Sequence, residues 1–268
     1  MAKIVQCRLS KSMKKFSFFM DKYKMGKYRD PNASAVFFGM YDPADEVKLS
    51  QHNPNSLAVI IWMGSDIFRE RWIDEALSIE KRLGVIKNMK NVRHIAISSF
   101  MAADFKKYNI PYKFLPISGS DLSSFHPVVL GKEIYTYIPP THYRFYGGHI
   151  VDKLRKKCKY KINIADGCYY YNRKDLIRVY ERCFCGLRFT PHDGIAHTTV
   201  EMGFMGMGSF YNGEVPGAIK WDKNDISGIL DNINKEAKKI GTVNKDLAEE
   251  WNRFMDIGED WLNEEYWK

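Results

Sequence analysis

Gly186-Leu-Arg-Phe-Thr-Pro-His-Asp-Gly-Ile-Ala-His-Thr-Thr-Val-Glu-Met-Gly-Phe-Met-Gly206 crowds arginine, histidine, aspartate, threonine and glutamate onto one junction. Its first residues predict a strand over Gly186–Thr190, and the apolar spacing after Ala196 predicts a helix over Ala196–Phe204. Open α/β sheets bind ligands outside the carboxyl ends of their strands, and the loop after Thr190 is such an end. At the start of the helix the N–H groups of Ile195 to Thr198 lack intrahelical partners and would face an anion. The hydroxyls of Thr198 and Thr199 add donors. Glu201 falls about one and a half turns into the helix, where a carboxylate can accept from two vicinal hydroxyls such as a ribose offers. His192 and His197 read first as polar lining or caps, and Met202–Met207 as helix packing.

Outward from this junction, short apolar runs alternate with helical patterns. Strands are expected at Lys3–Leu9, Ala35–Met40, Leu57–Met63, His94–Ser98 and Tyr112–Ile117, with helices at Pro43–His52, Glu70–Leu83 and Phe100–Tyr108 between them. A break in composition from Gly119 to Pro127 separates this half from a second. There, strands are expected at Glu133–Ile138, Tyr160–Ile164, Gly186–Thr190, Gly208–Tyr211 and Ala218–Trp221. Helices are expected at Ile150–Lys157, Lys174–Phe184, Ala196–Phe204 and Asp225–Ile240. Alternation at this spacing means parallel sheets with right-handed crossovers. The expected class is α/β: two Rossmann-like lobes facing a cleft, residues 1–127 and 128–241. Residues 242–268 form a helical tail whose Leu247, Trp251, Phe254, Met255, Trp261, Leu262 and Trp267 need a lobe to pack on.

Asp193 followed by Gly194, with seven residues between Asp193 and Glu201, and the small-residue run Met202-Gly-Phe-Met-Gly-Met-Gly208 together resemble the nucleotide-sugar signature of GT-B glycosyltransferases. The likeness is greatest to the retaining glycogen-synthase-like and sucrose-synthase-like group. Val59-Ile-Ile-Trp-Met-Gly-Ser-Asp66 resembles the Trp-x-Gly-(Ser/Thr)-Asp turn of their acceptor lobe. His94-Ile-Ala-Ile-Ser98, followed by a helix and Pro111-Tyr-Lys-Phe-Leu-Pro116, resembles the strand–helix–strand that closes that lobe. The resemblance spans roughly residues 34–240 and implies a glycosyltransferase using a UDP-, GDP- or ADP-sugar, with no other cofactor. It makes Asp193, Arg188 and His192 the candidate catalytic residues. Glu201 would hold the ribose, and Asp193 with Gly194 would touch the donor sugar. The turn through Gly194, His197, Thr198 and Thr199 would meet the diphosphate. Arg144, Gly147, Gly148 and Lys153 would complete the donor site. Trp62, Gly64, Ser65 and Asp66 would line the acceptor side. The chain departs from the pattern in two places: Asp193 stands where the family usually has glutamate, and Tyr143-Arg-Phe-Tyr-Gly-Gly148 replaces the Gly-Arg…Lys-Gly motif. A retaining transfer of this kind needs no protein base at the attacking face. The chain also lacks the Asp-x-Asp of metal-dependent glycosyltransferases, so no metal is expected.

Composition sharpens the acceptor. The net charge of +9 is unevenly spread: +7 over residues 1–30, +7 over residues 153–178 and −5 over residues 242–268. In the first segment, lysines are interleaved with Phe16, Phe18, Phe19, Tyr23 and Tyr28, a pattern that suits phosphate contact with base stacking and also suits an amphipathic helix. The favoured acceptor is a hydroxymethylated base in DNA, reached through residues 1–30. The alternatives are a glycan or lipid-linked sugar at an anionic membrane surface, a sugar-nucleotide epimerase, and a non-catalytic nucleic-acid-binding protein on the same scaffold. Five scattered cysteines make no disulfide framework, the start lacks a signal-peptide layout, and no apolar run is long enough to span a membrane. The expected location is cytoplasmic.

Overall fold

The computed structural model describes residues 2–64, 66, 86–167 and 172–268, with only the backbone at Lys15. The predicted helix Glu70–Leu83, Ser65 and Cys168 lie outside the described residues. The chain forms two units: Met1–Asp121 with Asp193–Ile195 and Ile257–Lys268, and Leu122–His192 with Ala196–Asp256.

In the first unit β1 (Gln6–Leu9), β2 (Gly26–Lys27), β3 (Ala35–Phe38), β4 (Ala58–Trp62), β5 (Val92–Ala96) and β6 (Lys113–Phe114) form one parallel sheet in the order β2-β1-β3-β4-β5-β6. Every residue of β3 and β4 is buried, which is why Ala35-Val-Phe-Phe and Ala58-Val-Ile-Ile-Trp are continuous apolar runs: a parallel sheet is covered on both faces. The helix α1 (Phe18–Lys22) follows a 3-10 turn at Lys11–Phe16. Next come α2 (Pro43–Ser50) and α3 (Ser99–Lys107). Asp42 and Asp45 close a capping box around Pro43 at the start of α2, and Ser98 caps α3 through the Met101 N–H.

The N-terminal basic segment corrects the stacking expectation. Phe16, Phe19 and Tyr23 are buried, with Phe19 against Phe38 and Trp261 and with Tyr23 edge-on to Trp261, so these rings are core. Lys11, Lys14, Lys22, Lys24 and Lys27 are exposed. The last residues of the chain complete this unit. The Ile4 N–H donates to the Leu262 carbonyl, the Trp267 indole donates to the Trp261 carbonyl, and Lys3 pairs with Glu259 at 2.8 Å.

Deeper in the unit, the Trp62 indole donates to His94 Nδ1 at 3.1 Å, and both side chains are buried. Burial, with Arg93 adjacent, pushes the imidazole down to about 4 from its ordinary 6.5. The unfolded chain therefore takes up this proton first as pH falls. The stability is present above about 6.5 and is lost on the way down to about 4, a change of roughly 3 kcal/mol. Measured as the difference between the wild type and His94→Asn, which keeps an acceptor for the indole, melting curves between pH 7 and 4 should show this limb, with the wild type losing the more stability as pH falls.

In the second unit β7 (Glu133–Tyr137), β8 (Ile162–Ala165), β9 (Cys183–Leu187), β10 (Gly208–Phe210) and β11 (Ala218–Ile219) are again all parallel, in the order β11-β10-β9-β7-β8. The helices are α4 (Gly148–Arg155), α5 (Arg173–Glu181), α6 (His197–Phe204), α7 (Ile226–Glu236) and α8 (Lys245–Met255). Among the boundaries that differ from expectation, two adjoin each other between α5 and β9. The strand predicted at Gly186–Thr190 starts at Cys183, and the helix predicted to reach Phe184 stops at Glu181. Cys183-Phe-Cys is a short apolar run that periodicity assigns equally well to a helix end or a buried strand, and its pairing with β7 decides for the strand. Cys7, Cys183 and Cys185 are buried free thiols, and burial pushes Cys7 and Cys183 up to about 12, out of the range where a thiol reacts.

Candidate functional site

The second sheet reverses its winding between β7 and β9, the place where open α/β sheets bind ligands. Loops leave the carboxyl ends of both strands there. The loop from β7 enters α4 through Gly147, which has φ +74° and serves as an N-cap without a side-chain cap. A Cβ on Gly147 would lie 2.3 Å from Phe189 Cβ, so only glycine lets the two loops meet. A Cβ on Gly148, the first residue of α4, would lie 2.3–2.5 Å from the Tyr143 ring. From the β9 loop, the Arg188 guanidinium lies over the Tyr146 ring at 4.5 Å and is half-buried, while Phe189 meets Trp221 edge-on at 4.9 Å. Arg144 is exposed on the first loop.

The helix α6 opens without a side-chain cap at Ala196. His197 and Thr198 are half-buried in its first turn, whereas Thr199 Oγ1 is sealed inside and unpartnered. Glu201 is 8% exposed. Its Oε2 accepts a 2.8 Å hydrogen bond from the Tyr180 hydroxyl, donated from α5. Burial pushes the carboxyl up to about 7, while the Tyr180 hydroxyl and the charge of Arg173 hold it from rising further.

Asp193, Gly194, Trp62, Gly64 and Asp66 fall in the first unit, whereas His192 belongs to the second. Ser98 Oγ, at the end of β5, donates to the Asp193 carbonyl at 2.9 Å. Gly194 and Gly64 meet backbone to backbone: a Cβ on Gly194 would lie 2.4 Å from the Met63 carbonyl oxygen, and one on Gly64, at φ +113°, 2.7 Å from the Gly194 nitrogen. The Asp193 and His192 side chains are half-buried. Asp66 is sealed and accepts from the backbone N–H groups of Met40 and Met63. This corrects its assignment to the acceptor side: it buckles the ends of β3 and β4 together. Trp62 is corrected likewise, because its ring is wholly buried and its one donor is spent on His94.

No protein-family model matches the chain, and no curated protein matches it in sequence. Its fold does have solved counterparts. Sucrose-phosphate synthase from Thermosynechococcus elongatus superposes with a TM-score of 0.56 at 11% identity, over 92% of this chain and 74% of that one. TarM superposes with a TM-score of 0.53 at 10% identity, over 94% of this chain and 57% of that one. Both are GT-B glycosyltransferases. The fold is GT-B. The likeness in sequence is too slight to carry residue roles from either relative.

Within the GT-B frame, the second unit gathers Arg188, Gly147 and Gly148 at the winding reversal and sets Glu201 on the helix that follows β9. Lys153 is not gathered with them. It lies exposed in the last turn of α4, roughly 8 Å along the axis from Gly148, because α4 runs away from the carboxyl edge. Tyr180 escaped the sequence reading. Its signal was present: Leu176, Val179 and Tyr180 share the inner face of α5, and a tyrosine on a buried face needs a partner for its hydroxyl. Phe189 gave no signal, since only the fold reveals that it abuts Gly147.

Proposed function

We propose that the chain transfers a sugar from a nucleotide-sugar donor to a hydroxyl acceptor, without a metal and with retention at the sugar carbon. The observation that carries the reading is Glu201: a buried carboxylate, held through one oxygen, on the helix that opens at the carboxyl edge of a GT-B sheet. In this reading Glu201 accepts from the ribose hydroxyls. The uncapped starts of α4 and α6 meet the diphosphate with backbone N–H groups, and Arg188 and Arg144 offset its charge. The bond from the sugar carbon to the diphosphate oxygen breaks, and the acceptor oxygen bonds to the same face of that carbon. The acceptor proton passes to the departing diphosphate. Catalysis then rests on position and on charge stabilisation of the leaving group. Asp193 and His192 stand as candidate contacts to the sugar.

The acceptor we favour is a hydroxymethylated base in DNA. Support comes from the exposed lysines of residues 1–30. With Phe16, Phe19 and Tyr23 in the core, contact would run through phosphates and carry no base preference of its own. A second reading, a glycan or lipid-linked acceptor at an anionic membrane, is favoured by Val5 and Phe18, apolar side chains exposed among those lysines.

The test offers UDP-, GDP- and ADP-sugars with hydroxymethylated duplex DNA and reads the DNA by mass. A hexose or pentose increment on the base supports the reading, and donor turnover with no acceptor at all would point instead to an epimerase. Replacing Lys11, Lys14, Lys22 and Lys27 together by glutamine should reduce the slope of log affinity for duplex DNA against log salt by roughly 0.9 for each phosphate no longer neutralised. An unchanged slope, with binding confined to anionic vesicles, would transfer the acceptor to the membrane.

A further inference from the structure

The buried tyrosine behind Glu201 has no place in the donor chemistry set out above. Tyr180 is fully buried on the inner face of α5, 21 residues before Glu201 in the chain. Its ring stands edge-on to Tyr135 of β7 at 4.9 Å, and its hydroxyl shares a hydrogen bond with the Tyr135 side chain. The Phe125 ring also lies near that of Tyr180, with centroids 6.4 Å apart. So placed, the phenol cannot swing, and its hydroxyl is aimed at Glu201 Oε2. Glu201 Oε1 accepts no hydrogen bond among the described residues. Nor is it one of the sealed, unpartnered atoms of this unit, which are Thr199 Oγ1, Ser209 Oγ and the indole nitrogens of Trp221 and Trp251. One carboxylate oxygen is thus tied down and the other is left open to accept.

We propose that Tyr180 is a positioning residue for donor binding: it clamps Glu201 through Oε2 so that Oε1 faces the vicinal hydroxyls of the donor ribose. The inference rests on the reading of Glu201 as the ribose acceptor. The clamp does two things. It fixes the rotamer of a side chain with three rotatable bonds, so the ribose does not have to order it. It also supplies a donor that favours the charged carboxylate. The groups facing that carboxylate are Tyr180 and Arg173 from α5, with Tyr135 of β7 behind Tyr180. Burial sets the carboxyl near 7, so the hydroxyl acts where its effect on ionisation is visible in a binding experiment.

The experiment titrates UDP, GDP and ADP into the wild-type chain by calorimetry from pH 5.5 to 9, continues with whichever binds, and repeats the series with Tyr180→Phe and Glu201→Gln. For the wild type, affinity should rise with pH through about 7 as the carboxylate ionises. With Tyr180→Phe the midpoint should move up by about one unit, which is about fivefold weaker binding at pH 7 and about tenfold at pH 6 and below, recovering to within a few-fold of wild type by pH 9. With Glu201→Gln, affinity should be low and flat across the range. A Tyr180→Phe chain that binds like wild type at every pH, or more weakly by one constant factor, overturns the clamp while leaving the ribose reading intact. A Glu201→Gln chain that binds like wild type overturns the ribose reading itself. If Tyr180→Phe melts early, Tyr135→Phe, which leaves the Tyr180–Glu201 bond in place but releases the phenol behind it, should show a smaller upward shift of the midpoint; no shift overturns the clamp.

Discussion

Replacing Glu201 by glutamine is expected to make the free protein more stable at pH 8 while it weakens the hold on a nucleoside diphosphate. The two effects have one cause. In the folded chain the carboxyl ionises near 7, against 4.5 when unhindered, because the charge must form in a buried place. Below about 4.5 it is protonated in both states and has no effect on the balance. As pH rises from there, the unfolded chain releases its proton first, so stability falls until the folded carboxyl also ionises near 7, and is constant beyond. The full shift amounts to roughly 3 kcal/mol. Glutamine keeps an oxygen for the Tyr180 hydroxyl and carries no charge, so Glu201→Gln should match the wild type at pH 4.5 and exceed it by up to about 3 kcal/mol at pH 8. The same change replaces an open anionic oxygen. A hydrogen bond to a charged group contributes about 1.5–3 kcal/mol, so nucleotide affinity should fall by roughly 10- to 100-fold. Denaturant melts at pH 5 and 8 with calorimetric titrations settle both. A variant less stable than wild type at pH 8, or equal to it in affinity, would contradict the account. His94 in the first unit acts in the opposite sense over nearly the same range, so the two limbs largely cancel between about pH 4.5 and 6.5 and leave a broad, shallow maximum near pH 5.5.

Most of the fold was legible in the chain itself, because parallel strands covered on both faces write themselves as unbroken apolar runs. Ala58-Val-Ile-Ile-Trp62 is one, and the helices between such runs carry their own caps at Asp42, Ser98 and Asn172. The site was legible in part. The spacing of Asp193 and Glu201 located the junction, but spacing does not say which way a side chain points. Trp62 and Asp66 stand in a turn whose pattern suggested an exposed wall, yet the turn is built by turning both inward, one to His94 and one to two backbone amides. The aromatic residues of the N-terminal segment suggested stacking for the same reason. Whether Phe19 faces a base or Trp261 depends on a segment more than two hundred residues away. Tyr180 shows the converse: its burial was readable from α5 alone, its partner was not.

The small residues after Glu201 have a packing reason that supplies the second large effect. Alanine at Gly203 should destabilise the second unit, although a helix ordinarily gains about 1 kcal/mol from that change. A Cβ there would lie 2.0 Å from Trp251 Nε1 and 2.3–2.4 Å from its neighbours in the ring. Trp251 of α8 is wholly buried and cannot move aside without moving its helix. Overpacking of this kind costs about 1–3 kcal/mol and sometimes more, and here the overlap is with a rigid bicyclic ring, so a net loss of about 2 kcal/mol is expected after the helix gain. The indole nitrogen of Trp251 is sealed without a partner, so Trp251→Phe sacrifices no hydrogen bond and removes the atom nearest the intruding methyl. The double variant Gly203→Ala with Trp251→Phe should therefore be more stable than the sum of the single changes by about 1 kcal/mol or more. Gly203 lies two residues beyond Glu201 on the same helix, so the strain should also reach the nucleotide. Gly203→Ala should weaken nucleoside diphosphate binding, and the second change should restore part of it. Additive stabilities, or a Gly203→Ala chain at least as stable as wild type, would show that α8 yields to the methyl and that the glycine is not needed for the close approach of the two helices.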